Sequence, residues 1–398
     1  MAQATEYTFQ TRTNKTLAAK YWRQPNQSTP PRRVAISLHG WLDNASTFDL
    51  IAPLITTGTQ NGGFDILVAL DLAGHGLSEH NQTGIYHPNE HVADIVDVLL
   101  NLEWFLDGTE DFTCTKDLEI YIIGHSMGGG IAAIFCGTFP TQIQGLIMIE
   151  AIGPWSGNNN TAAIDLHKSI CTSRNRRIGK NKRPPRVFVD HESAALRRSQ
   201  GNAVGKLPIE ACRILCRRGL KTLPVPMLSG NKKYIENNAS NSKTTDSLSG
   251  FVWSTDPALL GPSRIKLSPG QARSFCANLK CNTMILTVND GIMRRSTNWI
   301  GGGTLWGKGV GILIHVLLYA VRLVQYCRSW FIAIPNKTIV SLLYGLNYGL
   351  GLRERLKIMK AATPTFIHGV METGGHHPQL TEPVKVAYHL LEFLRTVS

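Results

Sequence analysis

The stretch that most constrains this chain is a glycine-rich turn around Ser126, with the sequence Gly124-His125-Ser126-Met127-Gly128. The apolar run from Leu118 to Ile123 predicts a short buried strand before the turn. The small apolar run from Ile131 to Phe135 predicts a helix after it. A serine on a sharp turn between a strand and a helix is the arrangement of a nucleophile elbow.

The glycines on either side of this serine have a steric reason. A Cβ atom at Gly124 or Gly128 would collide with the neighbouring strand or helix in so tight a turn. The turn would expose the Ser126 hydroxyl above the sheet. It would also place the Met127 N–H at a helix start, where the helix dipole favours a developing negative charge. We therefore predict that Ser126 is a nucleophile and that Met127 is an oxyanion donor.

A second oxyanion donor is predicted at Trp41. The β-rich run from Val34 to Leu38 ends in His39-Gly40-Trp41. Gly40 would let the backbone come close to a substrate oxygen, so that the Trp41 N–H could bind it. An ordinary strand-to-loop turn is the alternative interpretation, and the elbow downstream favours the oxyanion role.

Strands and helices alternate through the first part of the chain. This alternation predicts an α/β fold with a mostly parallel central sheet and helices on both faces. Ligands of such sheets bind beyond the carboxyl ends of the strands, where the turns described above would lie. The predicted strands cover 5–10, 16–22, 34–38, 64–70, 118–123 and 143–149, and a predicted helix covers 90–105.

Three motifs resemble the α/β-hydrolase superfamily in order and spacing. They are His39-Gly40-Trp41, the Asp-Leu-Ala-Gly-His-Gly-Leu-Ser run at 71–78 and the Gly-His-Ser-Met-Gly-Gly run at 124–129. The runs 149–154 and 253–259 look like the serine hydrolase-like subgroup. The resemblance implies an α/β-hydrolase core, a helical lid and hydrolysis of an ester or related acyl bond. Because the superfamily also has non-hydrolytic members, fold alone does not establish activity.

The resemblance also implies an acid. The superfamily places a carboxylate after the strand predicted at 281–288, and Asp290 is our predicted acid. A plain Asp-Gly turn is the competing interpretation of this residue. Glu150, at the end of the earlier strand 143–149, is the alternative acid, and Asp256 is a weaker third choice.

The predicted base is His376. It follows the last predicted strand, 365–370, and two glycines that would let the loop turn sharply inward. The chain order Ser, acid, His is that of this fold. His377 is the second choice, and His75, between two glycines in a loop, is predicted to be structural.

Charge divides the chain into unlike parts. Residues 1–153 carry 7 Lys and Arg against 16 Asp and Glu, whereas residues 154–281 carry 22 against 7. We predict an α/β-hydrolase core from 1–154 and 281–398, and a basic lid, or cap, from 155–280. Such a lid could attract an anionic partner or a membrane surface, but a solvated, poorly ordered surface is the interpretation that we favour.

A second insertion is predicted at about 296–351, between the acid and the base. It is apolar but interrupted by arginines, and it is too charged for a transmembrane helix. Three interpretations stay open: a lid helix over an acyl pocket, an interfacial membrane helix, or a poorly packed artefact of the gene structure.

These observations predict a serine hydrolase of the carboxylesterase or lipase type, cleaving a carboxylic ester or thioester through an acyl-enzyme. No cofactor, metal or nucleic acid is expected, and the partner is a small-molecule ester. The alternative is a non-catalytic α/β-hydrolase-fold protein that binds an anionic or membrane partner through its basic lid. Eight scattered cysteines and a polar N-terminus predict an intracellular, cytoplasmic protein, with peripheral membrane contact through 296–351 or the lid.

Overall fold

The structure is a computed structural model, and it describes residues 3–24, 32–107, 118–177, 185–201, 206–223, 250–293 and 351–398 of the 398-residue chain. The apolar insertion predicted at about 296–351 falls outside these residues except for Gly351, so its role stays a prediction. The described helices include none that is long and apolar enough to cross a membrane.

An eight-stranded sheet forms the centre of the fold. Its strand order is β1-β2-β4-β3-β5-β6-β9-β10. The pairs β1·β2 and β2·β4 are antiparallel. The pairs β4·β3, β3·β5, β5·β6, β6·β9 and β9·β10 are parallel. The strands are β1 Ala4–Gln10, β2 Thr16–Arg23, β3 Arg33–Leu38, β4 Ile66–Leu70, β5 Glu119–His125, β6 Gly145–Ile149, β9 Asn282–Val288 and β10 Phe366–Met371.

Both faces of this sheet are buried, which explains why its parallel strands are apolar throughout. In β5, Ile120 and Ile122 belong to one hydrophobic cluster, whereas Tyr121 and Ile123 belong to the cluster on the opposite face. Side chains alternate across a strand, so continuous apolar sequence fills two layers at once. The predicted mostly parallel sheet with helices on both faces is confirmed.

Helices cover the sheet and extend beyond it. The helices are α1 Ala52–Ile55, α2 Pro88–Asp107, α3 Met127–Thr138, α4 Ala162–Arg177, α5 His191–Ser199, α6 Ile209–Gly219, α7 Pro269–Ala277, α8 over 351–362, α9 Pro378–Thr381 and α10 Pro383–Val397. Short 3-10 helices cover Ala45–Phe48, Thr59–Asn61, Asn159–Thr161 and Pro257–Leu260.

The segment predicted as the lid, residues 155–280 (here called the lid), has a small core of its own in the described part. Its strands β7, Leu220–Leu223, and β8, Gly250–Trp253, pair antiparallel apart from the central sheet. They pack with α5 and α6 around a separate hydrophobic cluster. The buried members of this cluster are Phe188, Ala194, Ala195, Cys212, Cys216 and Leu220.

A buried ion pair ties the lid to the central sheet. Arg218 at the end of α6 places its Nε atom 2.8 Å from Asp71 Oδ2, and its Nη1 atom donates to Glu6 at 2.6 and 2.7 Å. Asp71 is fully buried and follows β4. A buried carboxylate needs a cation or several hydrogen-bond donors. The positive charge of Arg218 therefore compensates the buried Asp71 carboxylate.

The turn at Ser126 is as tight as the glycine pattern predicts. A Cβ atom on Gly128 would lie 2.2 Å from the Leu38 carbonyl oxygen. One on Gly124 would lie 2.4 Å from the Gly129 Cα atom. Both contacts are with backbone, which cannot move aside as a side chain can. The predicted steric role of the two glycines is confirmed.

Gly128→Ala should therefore destabilise the fold by about 3 kcal/mol, the upper end for overpacked cores, because β3 and α3 would have to separate. Urea unfolding of the variant and the wild type measures this difference. Gly351→Ala is the matched control, since its added Cβ atom meets nothing within 4 Å. The control should stay within about 1 kcal/mol of the wild type. Equal stability of the two variants would contradict the prediction.

Candidate active site

Ser126 lies in the turn between β5 and α3. Its φ of 51° falls in the left-handed region, which non-glycine residues rarely adopt. Its N–H donates to the Ile149 carbonyl of β6 at 3.0 Å, which holds the strained residue in place. Such a local conformation, stabilised by its surroundings, is typical of functional sites.

His376 contacts the serine. Its Nε2 atom lies 2.9 Å from Ser126 Oγ, although 250 residues separate the two in the sequence. Its Nδ1 atom lies 3.3 Å from Glu150 Oε2. The loop between β10 and α9 carries His376, and the side chain is almost fully buried. The structure thus brings the predicted nucleophile and the predicted base within hydrogen-bond distance.

Glu150 is fully buried directly after β6. Its Oε1 atom accepts the Val288 N–H at 2.8 Å, and its Oε2 atom accepts the N–H groups of Ile292 at 2.8 Å and Met293 at 3.3 Å. These donors satisfy the carboxylate without a side-chain cation and fix its direction toward His376.

Asp290, the acid that the sequence analysis preferred, lies elsewhere. Its carboxylate is exposed and accepts the Gly375 N–H at 2.8 Å. The backbone of the same turn faces Glu150, since a Cβ atom on Gly291 would lie 2.4 Å from Glu150 Cδ. Among the described contacts, the carboxylate that reaches His376 is therefore the alternative, Glu150. Asp290 stays a prediction, and the geometry favours Glu150 over it.

The third candidate acid, Asp256, also lies elsewhere. It accepts the Tyr86 hydroxyl at 2.6 Å and the Ala258 N–H at 2.8 Å. It therefore caps the 3-10 helix Pro257–Leu260 and connects the lid to the loop after β4.

The two predicted oxyanion donors lie on neighbouring elements. Met127 is the first residue of α3, so its N–H is one of the helix-start groups that have no partner four residues earlier. The turn that carries Trp41 packs against the same helix start, because a Cβ atom on Gly128 would lie 2.6 Å from the His39 carbonyl oxygen. The Trp41 indole Nε1–H donates to the Leu259 carbonyl of the lid at 3.2 Å.

A second polar cluster, which the sequence analysis did not find, adjoins the His376 loop. His377 Nε2 lies 3.0 Å from Asp43 Oδ2, and His125 Nε2–H donates to the His376 carbonyl at 2.7 Å. Arg198 Nη2 donates to the other Asp43 oxygen. The closeness of Asp43 to the motif at 39–41 and of His125 to Ser126 were the available sequence signals.

Part of this cluster has a donor set that could suit a metal. Among the described residues, one ligand atom each from Asp43, His125 and His377 lie within 4.8 Å of one another. The carboxylate already pairs with Arg198, however, so a divalent cation would add uncompensated positive charge to a buried place. We therefore assign no metal to it.

Burial lowers the pKa of His376, while its hydrogen bond to Glu150 raises it. The net shift is downward, so the ring is neutral at pH 7. A neutral imidazole that donates from Nδ1 to Glu150 presents a lone pair on Nε2 to the Ser126 hydroxyl. This is the protonation state that a general base requires.

Comparisons with known proteins agree with this fold. The family model described as serine aminopeptidase, S33 (Hydrolase_4) matches residues 29–192. A solved structure, a hypothetical protein from Pseudomonas aeruginosa, superposes with a TM-score of 0.64 at 21% identity, over 99% of each chain. The chain has the α/β-hydrolase fold.

The chain is similar to the serine hydrolase-like proteins. A Dictyostelium discoideum member is 32% identical over 179 residues, which cover 44% of this chain and 42% of the relative. A Homo sapiens member is 29% identical over 203 residues, which cover 50% of this chain and 88% of the relative. The predicted superfamily and subgroup resemblance are confirmed.

His75 has the structural position that was predicted for it. It is fully buried, and its Nδ1 atom lies 3.1 Å from the Ala73 carbonyl oxygen. Burial lowers the pKa of His75 to about 4 and that of His91, on α2, to about 3. Both rings are therefore neutral in the folded state at pH 7.

The free energy of unfolding should fall as the pH drops below 6.5. In the unfolded chain these histidines become protonated near pH 6.5. In the folded state His75 becomes protonated only near pH 4 and His91 only near pH 3. The unfolded state therefore binds more protons in this window, and each histidine costs roughly 1.4 kcal/mol per pH unit. Urea unfolding at pH 7.5, 6 and 5 measures the slope, and a constant free energy over this range would contradict it.

Proposed function

We propose that this protein is a serine hydrolase that cleaves a carboxylic ester or thioester through an acyl-enzyme, with Ser126, His376 and Glu150 as its catalytic triad. The observation that carries the proposal is the 2.9 Å contact between Ser126 Oγ and His376 Nε2. A buried carboxylate, Glu150, supports the other ring nitrogen at 3.3 Å. Nucleophile, base and orienting acid thus form a continuous chain.

In the first step, His376 Nε2 takes the proton of Ser126 while Oγ attacks the substrate carbonyl carbon. The ring becomes an imidazolium, and Glu150 stabilises it through the Nδ1–H group. The negative charge that forms on the carbonyl oxygen needs donors, and the backbone N–H groups of Trp41 and Met127 are our candidates.

In the second step, the tetrahedral species collapses and the bond to the leaving group breaks. His376 gives its proton to the departing alcohol or thiol, and Ser126 keeps the acyl group. A water molecule then gives a proton to His376 and attacks the acyl-enzyme. Collapse of this second tetrahedral species returns the proton to Ser126 Oγ and releases the carboxylic acid.

The surroundings of Glu150 suit the role of the acid better than those of Asp290. Glu150 is fully buried, and three backbone N–H groups fix its carboxylate, so its charge acts on the ring at low local dielectric. Asp290 is exposed to water, which would weaken the same interaction. We therefore propose a Ser-Glu-His triad in place of the Ser-Asp-His triad expected from the sequence.

The leaving group is the least constrained part of the proposal. A panel of p-nitrophenyl esters of rising acyl length, an acyl thioester and an amino-acid p-nitroanilide would compare ester, thioester and amide substrates by kcat/KM. The proposal expects the ester or thioester to be cleaved fastest. A preference for the anilide would show that the protein is a peptidase and not an esterase.

Contact with a membrane is a separate proposal, through 296–351 or the basic lid. Some lid cations are engaged within the protein: Arg213, for example, pairs with Glu192 at 2.7 Å. Exposed cations such as Arg217 remain available for anionic lipid. Sedimentation with acidic vesicles at rising salt tests this contact, and absence of binding at low salt would reject it.

Ser126→Ala should abolish labelling by a fluorophosphonate probe, which reacts with activated serines. The reason is that the probe needs Ser126 Oγ and the His376 base together. In-gel fluorescence of the purified wild type and variant measures labelling, with heat-denatured wild type as the control. A folded wild type that stays unlabelled would count against the proposed activity.

Glu150→Gln should lower kcat by roughly 10⁴-fold at neutral pH, the size seen when a triad acid becomes an amide. The acidic limb of the pH–rate profile of any residual activity should shift to lower pH than in the wild type. The reason is that the variant lacks the hydrogen bond to the Glu150 carboxylate that raises the pKa of His376.

Asp290→Asn is the matched comparison for this prediction. The asparagine oxygen can still accept the Gly375 N–H, so kcat should change by about threefold or less. Steady-state kinetics on the best ester of the panel measures both variants, and thermal melting checks that each is folded. The reverse pattern would restore Asp290 as the acid.

A further inference from the structure

A second buried carboxylate, Asp43, lies beside the His376 loop in the turn after β3. Its side chain is 2% exposed. Its Oδ2 atom accepts a hydrogen bond from His377 Nε2 at 3.0 Å and lies 3.6 Å from His125 Nδ1. Its Oδ1 atom accepts a hydrogen bond from Arg198 Nη2. The triad as described does not use this carboxylate.

Three successive residues of the His376 loop are held by three different parts of the sheet. Asp290, after β9, accepts the Gly375 N–H at 2.8 Å. His125, at the end of β5, donates to the His376 carbonyl at 2.7 Å. Asp43, after β3, holds the His377 ring. The backbone on both sides of the His376 side chain is therefore fixed, which fixes the direction of its ring.

The charges in this cluster are also defined. Burial opposes ionisation of Asp43, but His377, His125 and Arg198 outweigh it and hold the pKa of this carboxyl well below its usual range. Burial lowers the pKa of His377 to about 4, so this ring is neutral at pH 7. Arg198 supplies a full positive charge beside the Asp43 carboxylate.

Arg198 comes from the lid, on helix α5, and also reaches the oxyanion turn. Its Nη1 atom donates to the Leu42 carbonyl at 3.1 Å. Leu42 follows Trp41 and has a φ of 63°, a left-handed conformation that a leucine adopts only when its neighbours stabilise it. One guanidinium therefore contacts both the turn that carries Trp41 and the carboxylate that holds the His376 loop.

We propose that Arg198 is a positioning residue of the hydrolase. Through Asp43 and His377 it holds His376 against Ser126, and through the Leu42 carbonyl it holds the Trp41 N–H in place. Docking of α5 onto the core is then a condition for an assembled active site. This proposal rests on the proposed serine hydrolase function for its kinetic consequences, but not for its electrostatic ones.

Kinetics of Arg198→Ala test the proposal. The variant should lose about tenfold to a hundredfold in kcat, the cost of a misplaced catalytic group, with KM within about twofold of the wild type. Added guanidinium chloride at low millimolar concentration should restore part of kcat, because it can occupy the space left between Asp43 and Leu42. Arg197→Ala is the matched control, since it removes an exposed arginine from the same helix and should keep wild-type kinetics.

Arg198→Lys keeps the test decisive if the alanine variant does not fold. A lysine supplies the charge but not the planar fork that contacts Asp43 and the Leu42 carbonyl together. Its kcat should lie between those of the wild type and the alanine variant, without rescue by guanidinium. Wild-type kcat in folded Arg198→Ala, or equal losses in the Arg197 and Arg198 variants, would overturn the proposal.

A measurement without substrate separates this proposal from the proposed function. Histidine ring signals of ¹³C-histidine-labelled protein, followed by NMR as the pH changes, report the pKa of His377. In Arg198→Ala this pKa should rise above its value of about 4, because Asp43 would lose its cation and stabilise the charged ring. An unchanged pKa would overturn the proposal even in an active enzyme, and a raised one would support it even if no substrate is cleaved.

Discussion

The site depends on one close backbone approach, between the start of α3 and the end of β3. Gly128 lies so near the Leu38 carbonyl oxygen that a Cβ atom would be 2.2 Å away. This approach places the Ser126 turn and the 39–44 turn side by side. The nucleophile, both candidate oxyanion donors and Asp43 all belong to these two turns. If α3 moved away from β3 by the width of a methyl group, the residues of the Ser126 turn would move away from those of the 39–44 turn.

The same approach explains how much could be predicted from the sequence. Gly124, Gly128 and the apolar strand before Ser126 specify the turn locally, and the structure confirms it. His376 was predictable because one loop after the last strand can reach the serine. The proposed acid was not predictable, because Glu150 and Asp290 both follow adjacent parallel strands, β6 and β9, whose registers pair Ile149 with Leu286. The two residues differ in the direction of their side chains. The position of a residue in a turn sequence does not predict that direction.

The charge of the lid had a similar ambiguity. Its excess of Lys and Arg indicated either an anionic partner or a solvated surface. The structure uses two of these arginines, Arg198 and Arg218, against the buried core carboxylates Asp43 and Asp71. Net charge counts residues but not their partners, so the sequence could not show that part of the lid's positive charge is directed inward. Each carboxylate follows a strand of the central sheet, which makes lid and core electrostatically complementary.

The two carboxylates near the His376 loop differ in what already compensates their charge. Asp43 has a permanent cation in Arg198. The described partners of Glu150 are backbone N–H groups and the neutral His376 ring. In the proposed mechanism, a full positive charge appears beside Glu150 only when His376 takes the serine proton. Its attraction is therefore stronger in the transition state than in the resting enzyme, which is the condition for catalysis. Asp43, whose charge is already balanced, gains little at that moment, and its contribution is to hold the loop in position.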